Sequence, residues 1–291
     1  MKQKKQAIPI HHIDTQTPLG LEFTYVEMMN EYDEIVMKMH KNVIHRDDYY
    51  LFLFMDTAGT LLTIDFEEIH IEGKSVMYIR PGQVHFVTII QETRGWSLAI
   101  DSALVENDYK NTFEGQFLTQ NPIVLDVSVS ERMDEVARLL HATTQANSTL
   151  FSSKITLNLA NVFIGIIAEQ YLSQNKDLRH NKSRSAMIAH QFKELLSENF
   201  KSIKSPAQYA KMLNYSLSHL NESVKNVTGA SVSYWIHLQV ILEAKRLLYY
   251  TDLDVKEIAF ILGYEDHTYF SRLFSKIEGM SALTFRRKFH E

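Results

Sequence analysis

The sequence contains no cysteine among its 291 residues. This absence excludes disulfide bonds, zinc–thiolate sites, iron–sulfur clusters and cysteine nucleophiles, and it is consistent with a reducing cytoplasm. The sequence also has no uninterrupted apolar run approaching the ~20 residues of a membrane-spanning helix. Its basic start, residues 1–6, is not followed by the apolar region of a secretory signal. We therefore expect a cytoplasmic protein with no membrane partner.

The sequence lacks an overall excess of positive charge, because its formal net charge is −5. Residues 1–182 carry 16 basic and 24 acidic side chains, whereas residues 183–291 carry 14 basic and 11 acidic ones, so the net charges are −8 and +3. An acidic part joined to a mildly basic part is typical of a sensor joined to a nucleic-acid binder, although chance variation in surface charge gives a similar difference. At roughly 100–200 residues per domain, the length predicts about two domains.

The N-terminal part begins with short segments that have the composition of strands. Five segments rich in β-branched and aromatic residues are predicted as strands: Tyr49–Met55, Thr60–Phe66, Ser75–Arg80, Val84–Ile90 and Trp96–Ile100. Several short strands separated by turns predict a β-sandwich or a small barrel. Beyond Val129 the apolar residues follow a helical period. This pattern predicts one helix capped by Ser130 and a longer helix from about Ser153 to Leu172.

The C-terminal part contains an internal repeat with an offset of fifty residues. Residues 220–235 (LNESVKNVTGASVSYW) align with residues 270–285 (FSRLFSKIEGMSALTF). In both copies a glycine, Gly229 or Gly279, is followed two residues later by a serine. The spacing predicts a helix that stops at the glycine and a new helix that is capped by the serine.

Each copy reads as a short helix, a turn and a second helix. In the second copy the small Ala259 allows close helix packing, and Gly263 ends the first helix because it adopts the left-handed conformation at little cost. Asn214 takes the matching place in the first copy. This arrangement predicts two helix-turn-helix units, whose second helices enter the DNA major groove. The segment between them, residues 232–250, is apolar on several sides and is predicted to be a helix buried between both units.

The motifs of the C-terminal part resemble those of the AraC/XylS family of transcriptional regulators. The matching residues are Glu243-Ala244-Lys245-Arg246-Leu247-Leu248, Thr251-Asp252, Ile258-Ala259, Gly263-Tyr264, Tyr269-Phe270-Ser271-Arg272 and Phe274. The resemblance covers about residues 188–289. The family usually has proline after a serine or threonine near the end, whereas this sequence has Ala282 after Ser281, which is expected to weaken a helix cap but not the fold.

The resemblance implies two recognition helices, at about residues 217–226 and 266–276, that read successive major grooves of double-stranded DNA. It implies DNA contacts by eight residues: Ser218, Asn221, Glu222, Lys225, His267, Thr268, Ser271 and Arg272. Asparagine can pair with adenine, glutamate can accept a hydrogen bond from cytosine, and arginine can contact guanine or phosphate. The alternative for Arg272 is a structural ion pair with Glu265 or Glu278.

The N-terminal part resembles the cupin-like sensor domain of the same family. Metal-binding cupins use a His-x-His pair, a glutamate and a later histidine, but Asp47 replaces the second histidine here and the glutamate has no clear counterpart. We therefore expect no metal and no cofactor, with His45 and His85 as polar residues of a pocket or its rim. The candidate lining of a pocket for a small-molecule effector is His45, Tyr50, Phe52, His85 and Trp96. A ligand pocket and a filled barrel both fit this pattern.

Together these observations predict an α+β protein of two domains. Residues 1–175 are predicted as a cupin-like β-barrel with flanking helices at 130–172, residues 176–187 as a linker, and residues 188–291 as an all-α domain of two helix-turn-helix units joined by a long helix. The resemblance favours a homodimer seam on the helix at 153–172 over ordinary packing. It also implies a transcriptional regulator that contacts RNA polymerase, responds to a ligand and is not an enzyme. The alternatives are a cupin-type metalloenzyme and a non-specific architectural DNA-binding protein.

Overall fold

The computed structural model describes residues 7–13, 19–28, 44–57, 59–90, 92–114, 120–145, 150–174 and 184–289. The chain divides into two compact units: one is residues 9–179, and the other contains residues 180–291. Most of the predicted linker at 176–187 lies outside the described residues. Each unit is considered separately below.

The N-terminal unit contains two five-stranded sheets. Its strands are β1 (Ile10–His11), β2 (Leu21–Met28), β3 (His45–Asp47), β4 (Tyr50–Thr57), β5 (Gly59–Ile64), β6 (Glu67–Glu72), β7 (Ser75–Ile79), β8 (Val84–Ile90), β9 (Thr93–Ile100) and β10 (Ile123–Val124). The first sheet has the order β1-β3-β8-β5-β6 and the second the order β10-β7-β4-β9-β2. No strand ladder joins the two sheets within the described residues, so the predicted closed barrel is not confirmed.

All five predicted strands are present, and the described residues form five further strands that the sequence did not predict. β1 and β10 contain only two residues each, and β1 exists because its backbone pairs in parallel with β3. β2 pairs with β9 over its whole length. A short segment becomes a strand only where a distant segment satisfies its backbone hydrogen bonds. The local composition of the short segment does not indicate which segment this is.

Strand β4 separates two layers of apolar side chains because successive residues point to opposite faces of a strand. Tyr50, Phe52 and Phe54 lie in the larger core, together with residues of the helices of this unit. Leu51 and Leu53 pack on the opposite side, against the core between the two sheets. A strand with apolar residues on both faces is therefore buried on both.

The described part of the N-terminal unit contains three α-helices: α1 (Asn107–Glu114), α2 (Val127–Gln145) and α3 (Ser152–Gln174). The predicted cap at Ser130 is wrong, because α2 begins three residues earlier and Ser130 is buried within it. Asp126 caps the helix instead: its Oδ1 accepts hydrogen bonds from the backbone N–H of Val129 at 2.9 Å and from the hydroxyl of Ser128 at 2.8 Å. An aspartate carboxylate serves this purpose as well as serine does.

Helix α3 is, by length and composition, the one helix in the described parts of the chain that could cross a membrane. Its inner face is nevertheless buried in the core of the N-terminal unit through Phe163, Ile164, Ile167 and Tyr171. The Tyr171 hydroxyl also donates a hydrogen bond to the backbone carbonyl of Asn121 at 2.8 Å. These contacts are those of a core helix in a globular unit.

The described C-terminal unit is entirely helical. Its helices are α4 (Arg184–Asn199), α5 (Pro206–Met212), α6 (Leu217–Thr228), α7 (Val232–Tyr250), α8 (Val255–Ile261), α9 (His267–Glu278) and α10 (Ala282–Phe289). The two copies of the repeat are α5–α6 and α8–α9, and α7 joins them over the residues predicted for it. Ser231 and Ser281 cap α7 and α10 as predicted, through hydrogen bonds from the N–H groups of Tyr234 and Thr284.

Helix α7 packs against both helix-turn-helix units. Its apolar residues are buried on several sides, as predicted, and include Trp235, Ile236, Val240, Ile241 and Leu248. The helix also buries an ion pair, in which Nη1 of Arg246 lies 3.0 Å from Oε2 of Glu243 while both side chains are at most 6% exposed. A buried pair of this kind requires both partners, because either charge alone would be desolvated without compensation.

The turns of both units use a residue with positive φ. Asn214 adopts φ 58° in the first turn and Gly263 adopts φ 77° in the second. Gly263 has an additional constraint, because a Cβ at this position would lie 1.9 Å from the carbonyl oxygen of Lys201 in the loop after α4. The second turn therefore touches the backbone that precedes the first unit, and only glycine permits this approach.

Gly263→Ala is expected to lower the free energy of unfolding by about 3 kcal/mol or more, because it combines left-handed strain with a clash against backbone. Gly279→Ala is the matched control: Gly279 has φ 76° but no atom within 4 Å of the added Cβ, so the expected cost is only about 1 kcal/mol. Urea unfolding of both variants measures the difference. Equal losses would show that the contact with Lys201 does not constrain the turn.

Candidate nucleic-acid interface

Helix α6 presents a polar face because its apolar residues point into the first helix-turn-helix unit. Ser216 caps it by accepting a hydrogen bond from the N–H of His219 at 3.2 Å, and Gly229 ends it at φ 77°. Leu220 and Val224 are buried. The exposed side chains include three of the predicted contact residues: Ser218, Glu222 and Lys225.

Helix α9 repeats this construction in the second unit. Asp266 caps it by accepting a hydrogen bond from the N–H of Thr268 at 2.8 Å, and Gly279 ends it at φ 76°. The backbone N–H groups that bond to Asp266 hold the pKa of its carboxyl below the usual value. Phe270, Leu273 and Phe274 are buried. The predicted contact residues His267, Thr268 and Arg272 are exposed on the outer face of the helix.

Two of the eight predicted contact residues are half-buried and bond to nearby groups of the protein. The side-chain oxygen of Asn221 accepts a hydrogen bond from the backbone N–H of Val232 at 3.1 Å, which fixes the start of α7. Ser271, the matching residue of the second unit, donates its hydroxyl hydrogen bond to the carbonyl of His267 at 2.8 Å. Asn221 and Ser271 are half-buried, so the structure assigns them to the inner edge of each recognition helix.

The alternative role for Arg272, an ion pair with Glu265 or Glu278, is not observed in the described part of the chain. Within the described residues, Arg272 forms no salt bridge with Glu265 or Glu278. Glu278 instead pairs with Lys245, whose Nζ lies 3.0 Å from Oε1 of Glu278. The side chain of Arg272 is exposed, and its charge helps to lower the pKa of the nearby Asp266 carboxyl.

The two recognition helices differ in charge at matching positions. Glu222 of α6 and Arg272 of α9 are related by the fifty-residue offset of the repeat, and both are exposed. A carboxylate at this position repels phosphate, whereas a guanidinium attracts it and can also bond to guanine. The second unit is consequently the better suited of the two to a strong DNA contact.

Sequence reasoning missed two exposed residues on the face of α9 that carries Arg272. Lys276 lies one helical turn after Arg272, and Tyr269 lies one turn before it, so the three share a face. Together with Tyr234 and His237 of α7 they line an open cleft. Burial, and then the charge of Lys276, lower the pKa of His237. The i, i+4 spacing from Arg272 was the sequence signal that identifies Lys276.

The five residues predicted to line an effector pocket do not share one site. Tyr50, Phe52 and Trp96 are buried in the core that contains the helices of the N-terminal unit. His45 and His85 lie opposite each other on β3 and β8 of the other sheet. The aromatic residues Tyr50 and Phe52 of β4 pack with the helices and not in the space between the sheets.

His45 and His85 instead form a cluster with His11 and Asp47. The rings of His11 and His45 stack with their centroids 4.0 Å apart, and the rings of His45 and His85 lie 4.4 Å apart. Within the described chain, His11, His45 and Asp47 are the group of side chains whose ligand atoms are close enough together to hold a metal ion.

Comparison with known proteins identifies the helical repeat. A helix-turn-helix domain family matches residues 209–288. The chain is similar to the uncharacterized HTH-type transcriptional regulator YisR of Bacillus subtilis (29% identity over 42% of each chain) and to the HTH-type transcriptional activator RhaR of Pectobacterium atrosepticum (27% identity over 55% of this chain and 56% of the relative). It is also similar to the arabinose operon regulatory protein of Salmonella typhimurium, with 35% identity over 31% of each chain. These matches span about half or less of each relative, and they confirm the resemblance drawn from the motifs.

Asn221→Ala is expected to lower the free energy of unfolding by about 1 kcal/mol, because the first N–H of α7 loses its side-chain acceptor. Asn226→Ala, an exposed asparagine in the same helix, serves as the control and is expected to change stability by less than about 0.5 kcal/mol. Denaturant unfolding of the two variants tests the assignment. A loss that is no larger for Asn221→Ala than for Asn226→Ala would contradict a structural role for Asn221.

Proposed function

We propose that this chain, whose C-terminal part is a helix-turn-helix domain of the AraC type, is a sequence-specific DNA-binding transcriptional regulator. The observation that carries the proposal is the duplicated helix-turn-helix unit with a polar, exposed face on each second helix. One such unit is common in helical proteins. Two copies that share a central helix form a DNA-binding domain with two recognition helices. No enzymatic function is required to explain this arrangement.

The two recognition helices, α6 and α9, enter successive major grooves on one side of the DNA. The central helix α7 has 19 residues, which gives a length of roughly 28 Å at 1.5 Å per residue. This length fits two recognition helices spaced by about one DNA turn, ~34 Å. One helix, α7, therefore determines the spacing between the two DNA contacts.

Contacts in the second unit supply most of the affinity. Arg272 contacts guanine or a phosphate, Thr268 and His267 approach base edges at the start of α9, and Lys276 neutralises a phosphate. In the first unit, Lys225 neutralises a phosphate and Glu222 accepts a hydrogen bond from cytosine. Because Glu222 repels the DNA phosphates, binding is favourable only at sequences in which a cytosine donates a hydrogen bond to it. Glu222 therefore contributes to selectivity more than to affinity.

The N-terminal unit is proposed to act as a cupin-like sensor and dimerisation domain within residues 1–175. Binding of a small-molecule effector there changes DNA affinity if the effector prefers one of two states of the protein. RNA polymerase is the proposed protein partner at the promoter, and the cytoplasm is the proposed location. The DNA-binding domain is proposed to span residues 188–291.

Helix α3 supports a homodimer because it is apolar on two sides. Its inner side is buried in the core, whereas Ile155 and Val162 on its outer side are each 48% exposed. Leu159 lies between them in the helical register, and it is half-buried. Residues at i, i+4 and i+7 form one stripe, which is the pattern of a helix that packs against a second helix.

Arg272→Ala is expected to weaken binding to the selected DNA site by about 1–3 kcal/mol without changing the stability of the protein. The site is first identified by selection from a random double-stranded library, and affinity is then measured by fluorescence anisotropy at fixed salt. Arg138→Ala removes the same charge from an exposed position of α2 in the N-terminal unit and is the control. Unchanged affinity for Arg272→Ala, or failure to select any sequence, would contradict the proposal.

Glu222→Gln is expected to raise the affinity for random DNA by roughly 2- to 5-fold, because it removes a negative charge that faces phosphate. The increase should shrink as salt is added, since salt screens exposed charges. Competition between the selected site and random DNA then measures the loss of selectivity. An unchanged ratio between the two affinities would argue against base reading by Glu222.

Sedimentation of the full chain at tens of micromolar tests the dimer. The double variant Ile155→Glu/Val162→Glu is expected to shift the chain to a monomer, because it places charges in an apolar seam. Phe260→Glu, at an exposed residue of the C-terminal unit, is the control and should leave the dimer intact. A wild-type chain that sediments as a monomer would contradict this part of the proposal.

A further inference from the structure

The register of three neighbouring strands brings four ligand-type side chains to one face of a sheet. β1 pairs in parallel with β3 so that His11 lies opposite Asp47, and β3 pairs with β8 so that His45 lies opposite His85. His45 and Asp47 are two residues apart on β3, and residues with this spacing point to the same side of a strand. His85 also lies opposite Ile64 of β5, whose side chain packs in the core between the two sheets. The cluster therefore faces the space between the sheets.

The carboxylate of Asp47 is the centre of the cluster. Its side chain is only 2% exposed, and three histidine nitrogens surround it: Nδ1 of His11 at 3.9 Å and Nε2 of His45 at 3.7 Å from Oδ1, and Nε2 of His85 at 3.4 Å from Oδ2. Oδ1 of Asp47 has no hydrogen-bond partner in the described structure although it is buried. An unsatisfied buried carboxylate oxygen is costly and requires an explanation.

The ligand atoms of His11, His45 and Asp47 all lie within 4.8 Å of one another, which is somewhat longer than the separations of ligands that share one ion. Separations of 3.7 and 3.9 Å are too long for hydrogen bonds. Two ligands that each lie 2.0–2.1 Å from a tetrahedral zinc ion are separated by about 3.3 Å. A small contraction of the cluster would therefore place one cation within bonding distance of the His11, His45 and Asp47 atoms.

The tautomer of His85 strengthens the case for a cation. Its Nδ1 lies 3.3 Å from the backbone carbonyl of Gln83, which can only accept a hydrogen bond, so Nδ1 carries the proton. Nε2 of neutral His85 then presents a lone pair towards Oδ2 of Asp47 at 3.4 Å, which either a proton on Asp47 or a cation can satisfy. Metal-binding histidines commonly donate their second nitrogen to a backbone carbonyl in this way.

Burial disfavours the charged forms of Asp47 and His85. Burial raises the pKa of Asp47 to about 7, and burial lowers the pKa of His85 to about 4. The Tyr49 hydroxyl hydrogen-bonds to the Asp47 side chain and partly offsets the cost for the carboxylate.

We propose that His11, His45 and Asp47, with His85 as the fourth side chain, form a binding site for one divalent transition-metal cation of the zinc type. Imidazole and carboxylate ligands suit this class of ion. The proposal replaces the expectation that His45 and His85 bind no metal. That expectation rested on Asp47 in place of a histidine, but an aspartate is also a zinc ligand, and β1 supplies a histidine that the motif does not contain.

The cation would attach the N-terminal strand to its sheet. β1 has two residues and pairs only with β3 in the described structure, so little backbone pairing holds it. A metal bond through His11 links this strand to β3 and β8. Metal occupancy would thereby stabilise the edge of the N-terminal unit, since an ion that binds only the folded state shifts the unfolding equilibrium.

Titration of the chelator-treated 291-residue chain with Zn²⁺, in competition with a chromophoric chelator, tests the proposal. We expect one zinc ion per chain, and a loss of affinity of at least about 100-fold for Asp47→Asn and for His11→Ala. His12→Ala is the matched control, because His12 is the adjacent histidine and its ring bonds to Asp48 outside the cluster. It should bind zinc like the wild type.

Replacement of zinc by Co²⁺ provides a second measurement. We expect visible absorption bands of a tetrahedral site in the wild type and in His12→Ala, but not in His11→Ala. Because His11 is partly exposed on an edge strand, this variant keeps the test valid if Asp47→Asn fails to fold. Absence of stoichiometric zinc binding, or equal affinity of the wild type and His11→Ala, would overturn the proposal. Neither measurement depends on DNA binding.

Discussion

The arrangement of the C-terminal unit depends on the burial of α7 between two helix-turn-helix units. Each unit contains one helix of seven residues and one of twelve, and such short helices are marginal unless an apolar face is packed. α7 supplies that packing to both. In the first unit, the indole N–H of Trp235 donates a hydrogen bond to Thr228 at the end of α6, at 2.8 Å. The same helix therefore stabilises each recognition helix and sets the separation between them.

Contacts with backbone atoms complete this arrangement. Gly263 places the second turn against the carbonyl of Lys201, and Arg286 of α10 donates hydrogen bonds to the carbonyls of Leu248 and Leu253 around the end of α7. Backbone contacts leave less freedom than contacts between long side chains. The positions of the exposed faces of α6 and α9 are thus fixed by residues that never need to touch DNA.

In the proposed function, the exposed faces of α6 and α9 contribute unequally to DNA recognition. Repetition of one unit would give equal contacts, but Glu222 and Arg272 have opposite charges at matching positions. The modest net charge of the C-terminal part is consistent with this division, because affinity that comes from few phosphate contacts is weak. A dimer would then raise the overall affinity by adding a second pair of recognition helices.

In the N-terminal unit, the aromatic residues and the histidines that were predicted to line one pocket lie in different places. The aromatic residues of β4 stabilise the packing of helices on one face of a sheet. The histidines lie on the other sheet and face the space between the two. Residues close in sequence, such as Asp47 and Tyr50, therefore belong to different environments, whereas His11 and Asp47 become neighbours across 36 positions of sequence.

Local pattern alone determined the helix-turn-helix repeat, the central helix, the positive-φ turn residues and the serine caps. These features depend on helical periodicity and on the conformational preferences of single residues, which short segments already contain. Only the tertiary structure decided the strand partners of β1, β2 and β10 and the bond from Val232 to Asn221. It also decided the pairing of Glu278 with Lys245 and the meeting of three histidines around Asp47. Each of these depends on contacts between distant segments, and the packing of the whole unit selects them because many alternative pairings satisfy the same local pattern.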